Sequence, residues 1–237
     1  MSTNSFTYLE PSAFATRLHG LLQMVDDIAR GQDTTLRMLR EEADKLAVNL
    51  VAVGGVAVIR HGYERTTTDR DVLVSYKHAK RFGMHLWDHA DWERLEIAEY
   101  AFVYRPTGIK VDFLVGRDLM TLGQPYYFPE PDEVEKASPI EEIPVVGQHD
   151  LLYFNLLAGR LQDLPDMMQL IKLHLNEIVP ERILSRLDAL DEERKNKFLE
   201  IVRDAPKEIA NERRLGQGIT FTKEQNQFRP KRSKDGS

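Results

Sequence analysis

The sequence predicts an α/β (α+β) centre followed by an all-helical C-terminal portion. Three observations predict it. Apolar, β-branched stretches at residues 48–53, 69–75 and 110–115 have the length and composition of strands. Segments with apolar residues at helical spacing precede and separate them. From His149 to residue 205 the pattern is helical almost throughout.

Residues 12–30 read as a helix, with Phe14, Leu18, Leu21, Leu22, Val25 and Ile28 on one side. Gly31-Gln32-Asp33 is expected to break it, and residues 35–46 to form a second helix. Residues 48–53 read as a buried strand stopped by Gly54-Gly55. A short helix over 56–61 follows, with Gly62 as its C-terminal stop. The strand centred on 69–75 leads into a helix over 77–90. Residues 94–104 and 110–115 read as two strands joined through Pro106-Thr107-Gly108, hence an antiparallel hairpin. Residues 123–144, rich in proline and acid, are expected to be mostly loop. Helices are predicted over 149–158, 165–178 and 180–205, and loose order from Arg213 onward. The expected organisation is N-terminal helices over 1–46, a core over 47–122, a helical portion over 123–206 and a basic, flexible tail over 207–237.

Composition bounds the chemistry. The chain has 237 residues, 42% of them hydrophobic and 30% charged, which suits a globular domain. It has no cysteine, so disulfides, thiolate metal sites, iron–sulfur clusters and a thiol nucleophile are excluded. No apolar run approaches the roughly 20 residues that span a bilayer. The polar residues 1–11 do not read as a signal peptide, so a cytoplasmic location and no membrane partner are expected. The net charge of −6 is uneven. Eight Lys or Arg stand against four Asp or Glu from Lys207 onward, leaving the preceding body acidic. An acidic body disfavours a protein that coats nucleic acid and suits one that gathers carboxylates around a cation.

The chemistry-bearing stretch is VAVGGVAVIRHGYERTTTDRDVLVS, residues 51–75. Asp69 and Asp71 stand two apart on a predicted strand, so their side chains leave the same face. Buried like charges repel and are poorly solvated, and a cation between them removes that cost. Asp112 in KVDFLV, residues 110–115, is a third carboxylate in an apolar strand. Three converging carboxylates are hard oxygen ligands suited to Mg²⁺, or to two such ions about 4 Å apart. Alternatively Asp112 is an edge-strand acid paired to Lys110. Gly54-Gly55 leaves room for phosphate oxygens to approach backbone N–H groups. Neither a Walker loop nor a G-x-G-x-x-G fingerprint is present.

Gly-Gly, then Asp-x-Asp, then a further Asp on a later strand resembles the polymerase-beta-type nucleotidyltransferase superfamily. The phrase VGGVAVIRHGYERTTTDRDVLV is similar to small bacterial members met as stand-alone transferases or toxin–antitoxin components. The resemblance implies a small mixed β-sheet flanked by helices. It also implies metal ligands at Asp69, Asp71 and Asp112, with Gly54 and Gly55 meeting the triphosphate of an NTP. Arg65, Thr68 and Arg160 are the further nucleotide-binding candidates. Arg65 either contacts nucleotide or neutralises Asp69; Arg160 either reaches phosphate or pairs with Asp163. Asp163 and Asp166 belong to a weaker echo of the family over residues 150–171, or they cap a helix around Pro165.

The sequence departs from the family's pattern at Gly55, where a serine is common, at Arg70, where an apolar residue is usual, and at Asn155, where a lysine is expected. The activity implied is Mg²⁺-dependent transfer of a nucleoside monophosphate from an NTP, releasing pyrophosphate. The acceptor would be a tRNA or other RNA end, a protein or a small molecule, and a small protein partner is conceivable for a toxin–antitoxin member. The competing readings are a non-catalytic binding or antitoxin-like module, supported by Arg70 and Asn155, and a metal-dependent nuclease.

Overall fold

A computed structural model describes residues 31, 33–96, 98–120, 126–189 and 191–216. The predicted helix over 12–30 lies outside these. Helix α1 covers 33–45, and Gly31 is itself helical. The break expected at 31–33 is therefore absent at both described positions. The Thr35 hydroxyl donates to the Gly31 carbonyl at 2.9 Å, a bond one helical turn back.

The core is a mixed seven-stranded sheet in the order β3-β4-β5-β2-β1-β7-β6. Its strands are β1 (Leu50–Val53), β2 (Asp69–Val74), β3 (Trp92–Arg94), β4 (Ala101–Tyr104), β5 (Ile109–Val115), β6 (Lys136–Ile140) and β7 (Ile143–Val146). β2 runs parallel to β5, and β1 parallel to β7; the other neighbours are antiparallel. The predicted β4/β5 hairpin forms, but the single strand expected over 94–104 is two strands, β3 and β4.

The described part of the stretch 123–144 is largely loop, as expected, but it also carries strand. It supplies β6 and the first half of β7, so the sheet extends beyond the core range of 47–122. Two features hide these strands. β6 is an edge strand, largely exposed and carrying Pro139, which an edge tolerates. Its turn into β7 is Glu141-Glu142, both at positive φ (45° and 63°), where Asn-Gly is the usual signal.

Helices cover both faces. α3 (Tyr76–Asp88) packs on the face that carries Phe113, whose ring stacks on Phe82 at 5.2 Å. α2 (Gly54–Arg60), α4 (Gln148–Ala158) and α5 (Asp163–Leu173) form a connected group near the other face. α4 is buried along nearly its whole length, which explains its nearly unbroken apolar run from Leu151 to Ala158.

The helix predicted over 180–205 is two helices, α6 (Pro180–Leu184) and α7 (Glu192–Gly216). Asp191 stands between them, buried, and accepts from the Tyr126 hydroxyl at 2.7 Å and from Arg194. α7 continues through Pro206 to residue 216, so the loose order expected from Arg213 begins no earlier than that. Its last turns are tied to α5 by the Lys172–Glu212 ion pair. Residues 217–237 lie outside the described range. No described helix is long and apolar enough to cross a membrane.

Candidate active site

The pleat of β2 sends Asp69 and Asp71 to one face and Arg70 to the other. β5 lies beside β2 in parallel register, with Asp71 opposite Asp112 and Asp69 opposite Lys110. The three aspartates therefore share one face of two neighbouring strands. A carboxylate oxygen from each lies within 4.8 Å of those of the other two. Among the described residues, no other group of three His, Asp or Glu meets that geometry. Both readings of Asp112 meet here: it belongs to the cluster, and Lys110 Nζ lies 2.7 Å from its Oδ2. β5 is an interior strand, not an edge.

Burial, then the neighbouring Asp69 and Asp112 carboxylates, push Asp71 up from 3.8 to about 6. Lys110 is pushed up, chiefly by its hydrogen bond to Asp112. On the opposite face Arg70 is buried, and desolvation brings it down to about 10. Its Nη1 donates to the Asp69 carbonyl at 3.0 Å, and Asp33 and Asp69 favour its charge. Its Nε has no partner among the described residues.

The glycines are required by what packs against them. Gly54 has φ +60°, and a Cβ there would overlap the Asp71 carboxylate. A Cβ on Gly55 would lie 2.6 Å from Thr67 Oγ1 and 3.4 Å from Arg65 Nη2. Thus β1 turns into α2 tightly enough for Asp71 of β2 to sit against the bare backbone.

The remaining candidates divide. Arg65 pairs with Asp166 and not with Asp69, so it ties the loop before β2 to α5 while standing beside Gly55. Burial keeps the Asp166 carboxyl raised despite that guanidinium. Thr68 is exposed. Thr67 is the threonine on the acid side, its hydroxyl 3.2 Å from Asp69 Oδ1. Alternation through 67, 69 and 71 carries that signal in the sequence. Arg160 pairs with Asp163 at 3.0 Å and also lines the cavity beside Asp71.

That cavity, about 290 Å³, is bounded by Gly54, Asp71, Asn155 and Arg160. Its apolar walls include Leu114, Met120, Phe128 and Phe154. Asn155 is 4% exposed, and its Nδ2 has no hydrogen-bond partner among the described residues. Of Tyr126-Tyr127-Phe128, only Phe128 reaches the cavity. Leu114 follows from alternation with Asp112; Phe154 has no such signal, because α4 is apolar all round.

Three of the described histidines make structural contacts. His61 ends α2, with its Nε2 2.8 Å from the Val146 carbonyl oxygen. His85 in the last turn of α3 and His89 just past its end, four apart as zinc ligands can be, lie 2.7 and 3.5 Å from the buried Glu42.

No protein-family model matches the chain, and no curated protein matches it. Among solved structures it is similar to an antigenic nucleotidyltransferase-like protein from Paracoccidioides brasiliensis. The identity is 15%, over 78% of this chain and 90% of that one, with a TM-score of 0.49. It is also similar to ANT(2'')-Ia in complex with adenylyl-2''-tobramycin, at 12% identity, 76% and 98% coverage and a TM-score of 0.38. A solution structure of the antibiotic-resistance factor ANT(2'')-Ia gives 14%, 76% and 99%, and 0.39. Likenesses this slight carry no activity or substrate across to this chain.

Proposed function

We propose that the chain is a Mg²⁺-dependent nucleotidyltransferase that moves a nucleoside monophosphate from an NTP to a hydroxyl or phosphate acceptor. The observation that carries this reading is the register of β2 on β5, which sets Asp112 beside Asp71 over the Gly54-Gly55 turn. The donor set fits the ion: three carboxylates, close enough to share it, of which Asp71 is held up by repulsion and burial. Asp69, Asp71 and Asp112 would hold Mg²⁺, which supplies charge neutralisation at the triphosphate and alignment of the attacking oxygen.

The chain's own groups do the rest. Gly54 and Gly55 let the triphosphate come against the backbone beside the acids. Arg160 and Arg65, each oriented by an aspartate, offer fixed positive charge. Thr67 adds a hydroxyl on the same side. The apolar walls and Asn155 Nδ2, which has no partner among the described residues, would seat the base or acceptor and exclude water. In the reaction the acceptor oxygen bonds to the α-phosphorus. The bond from that phosphorus to the bridging oxygen breaks, and pyrophosphate leaves. Asp112 would align the acceptor or take its proton. The acceptor classes are an RNA end such as that of tRNA, a protein side chain and a small molecule.

The test is incubation of the chain with Mg²⁺, α-labelled NTPs and RNA, protein and small-molecule acceptors in turn. Transfer of label with pyrophosphate release is the expected outcome. Shortened RNA without transfer would make it a nuclease. NTP binding without turnover would make it a binding module.

A further inference from the structure

The sequence reading allows two ions at the acidic cluster, but the structure already supplies one cation there. Lys110 and Asp112 stand two apart on β5, so both side chains rise from the face that carries the acids. Lys110 lies opposite Asp69 in register, and its ammonium nitrogen is 2.7 Å from Asp112 Oδ2. Lys110 is therefore the fourth corner of the quadrilateral of strand positions whose other corners are Asp69, Asp71 and Asp112. A second, independent observation points to a ligand on the Asp71 side of the cluster. Asn155 Nδ2 is buried with no hydrogen-bond partner among the described residues, and Asn155 lines the same cavity as Asp71 and Gly54.

We propose that Lys110 is a built-in counter-cation on Asp112, so that the nucleotide-free protein holds one divalent ion, mainly through Asp69 and Asp71. The inference rests on the reading of the three aspartates as a divalent-cation site. Its physical basis is charge balance. The ammonium cancels one of three carboxylate charges, and a single divalent ion cancels the other two. A second ion would have to approach within a few ångströms of both the first ion and the ammonium, with only one carboxylate to share. Asp112 is then left as the group turned toward the acceptor, and Lys110 is the residue that positions it.

The experiment is a titration of nucleotide-free protein with Mn²⁺, read as bound-ion stoichiometry by electron paramagnetic resonance and calorimetry. The wild type is expected to bind one ion. Lys110→Met is expected to gain a second, with affinity for it raised roughly tenfold or more by loss of the nearby positive charge. Lys110→Arg, which keeps the charge, is expected to stay at one. Two ions bound by the wild type would overturn the proposal, and this readout needs no variant to fold. A folded Lys110→Met protein that still binds a single ion would overturn it as well. Binding of no ion by the wild type would instead remove the divalent-site reading beneath it, which separates the two failures.

Discussion

Asp71 carries the strongest electrostatic conflict at the site. Its carboxyl titrates at about 6 in the folded chain against 3.8 for the ordinary group. The unfolded chain therefore gives up this proton first as pH rises. The metal-free protein accordingly loses stability between about pH 4 and pH 6, and the loss is complete above that range. Asp71→Asn removes the conflict. At pH 7.5 without divalent ions it should unfold about 2 to 3 kcal/mol less readily than the wild type, with the gap closing below pH 4. Urea denaturation at both pH values checks this, and equal stability at pH 7.5 would show that no such repulsion exists. Gly54 tests the same contact from the other side. Gly54→Ala meets both a left-handed backbone and the Asp71 carboxylate, so a loss of at least about 1 to 2 kcal/mol is expected in the same assay. Gly62→Ala has positive φ but only a 3.8 Å neighbour, and it should lose less.

At the scale of elements, the acid-bearing strands were legible and the distal pair was not. Alternation placed Asp69 and Asp71 on one face, and β2 bears that out. The apolar run in β5 marked a buried strand, and the lone acid in it marked something to be explained. What alternation could not give is which strand lies beside β2, because register is a long-range property. β6 and β7 were lost to Pro139, Pro144 and a glutamate pair in a turn that normally takes Asn-Gly. The same reasoning yields a test of that hairpin. Glu141→Asn with Glu142→Gly should raise stability by about 1 kcal/mol, since both positions hold positive φ. Thermal unfolding measures it, and a loss of stability would mean that the two glutamates make contacts worth more than the backbone strain. The expected helix end at residue 205 is overridden: Pro206 is a local stop signal, but burial of Ala205 and the Lys172–Glu212 pair hold α7 beyond it.

Across the whole molecule, the sheet brings together groups far apart in sequence. The glycine turn follows β1, two acids open β2, and the third comes from β5 next to it. The helices after β7 then close the cavity with Phe154, Asn155 and Arg160. The acidic body becomes intelligible in part as the surroundings of the proposed cation site, although many of its carboxylates, such as Asp44, Asp150 and Asp204, are engaged in ordinary ion pairs. The central claim is that this convergence serves nucleotidyl transfer. Its most direct test is pyrophosphate release from NTPs with Mg²⁺ and a pool of candidate acceptors, by the wild type and by Asp71→Asn. The account predicts release by the wild type, dependent on Mg²⁺, and a fall of at least about a hundredfold in the variant. Release unchanged by the substitution, or insensitive to chelation of divalent ions, would contradict it.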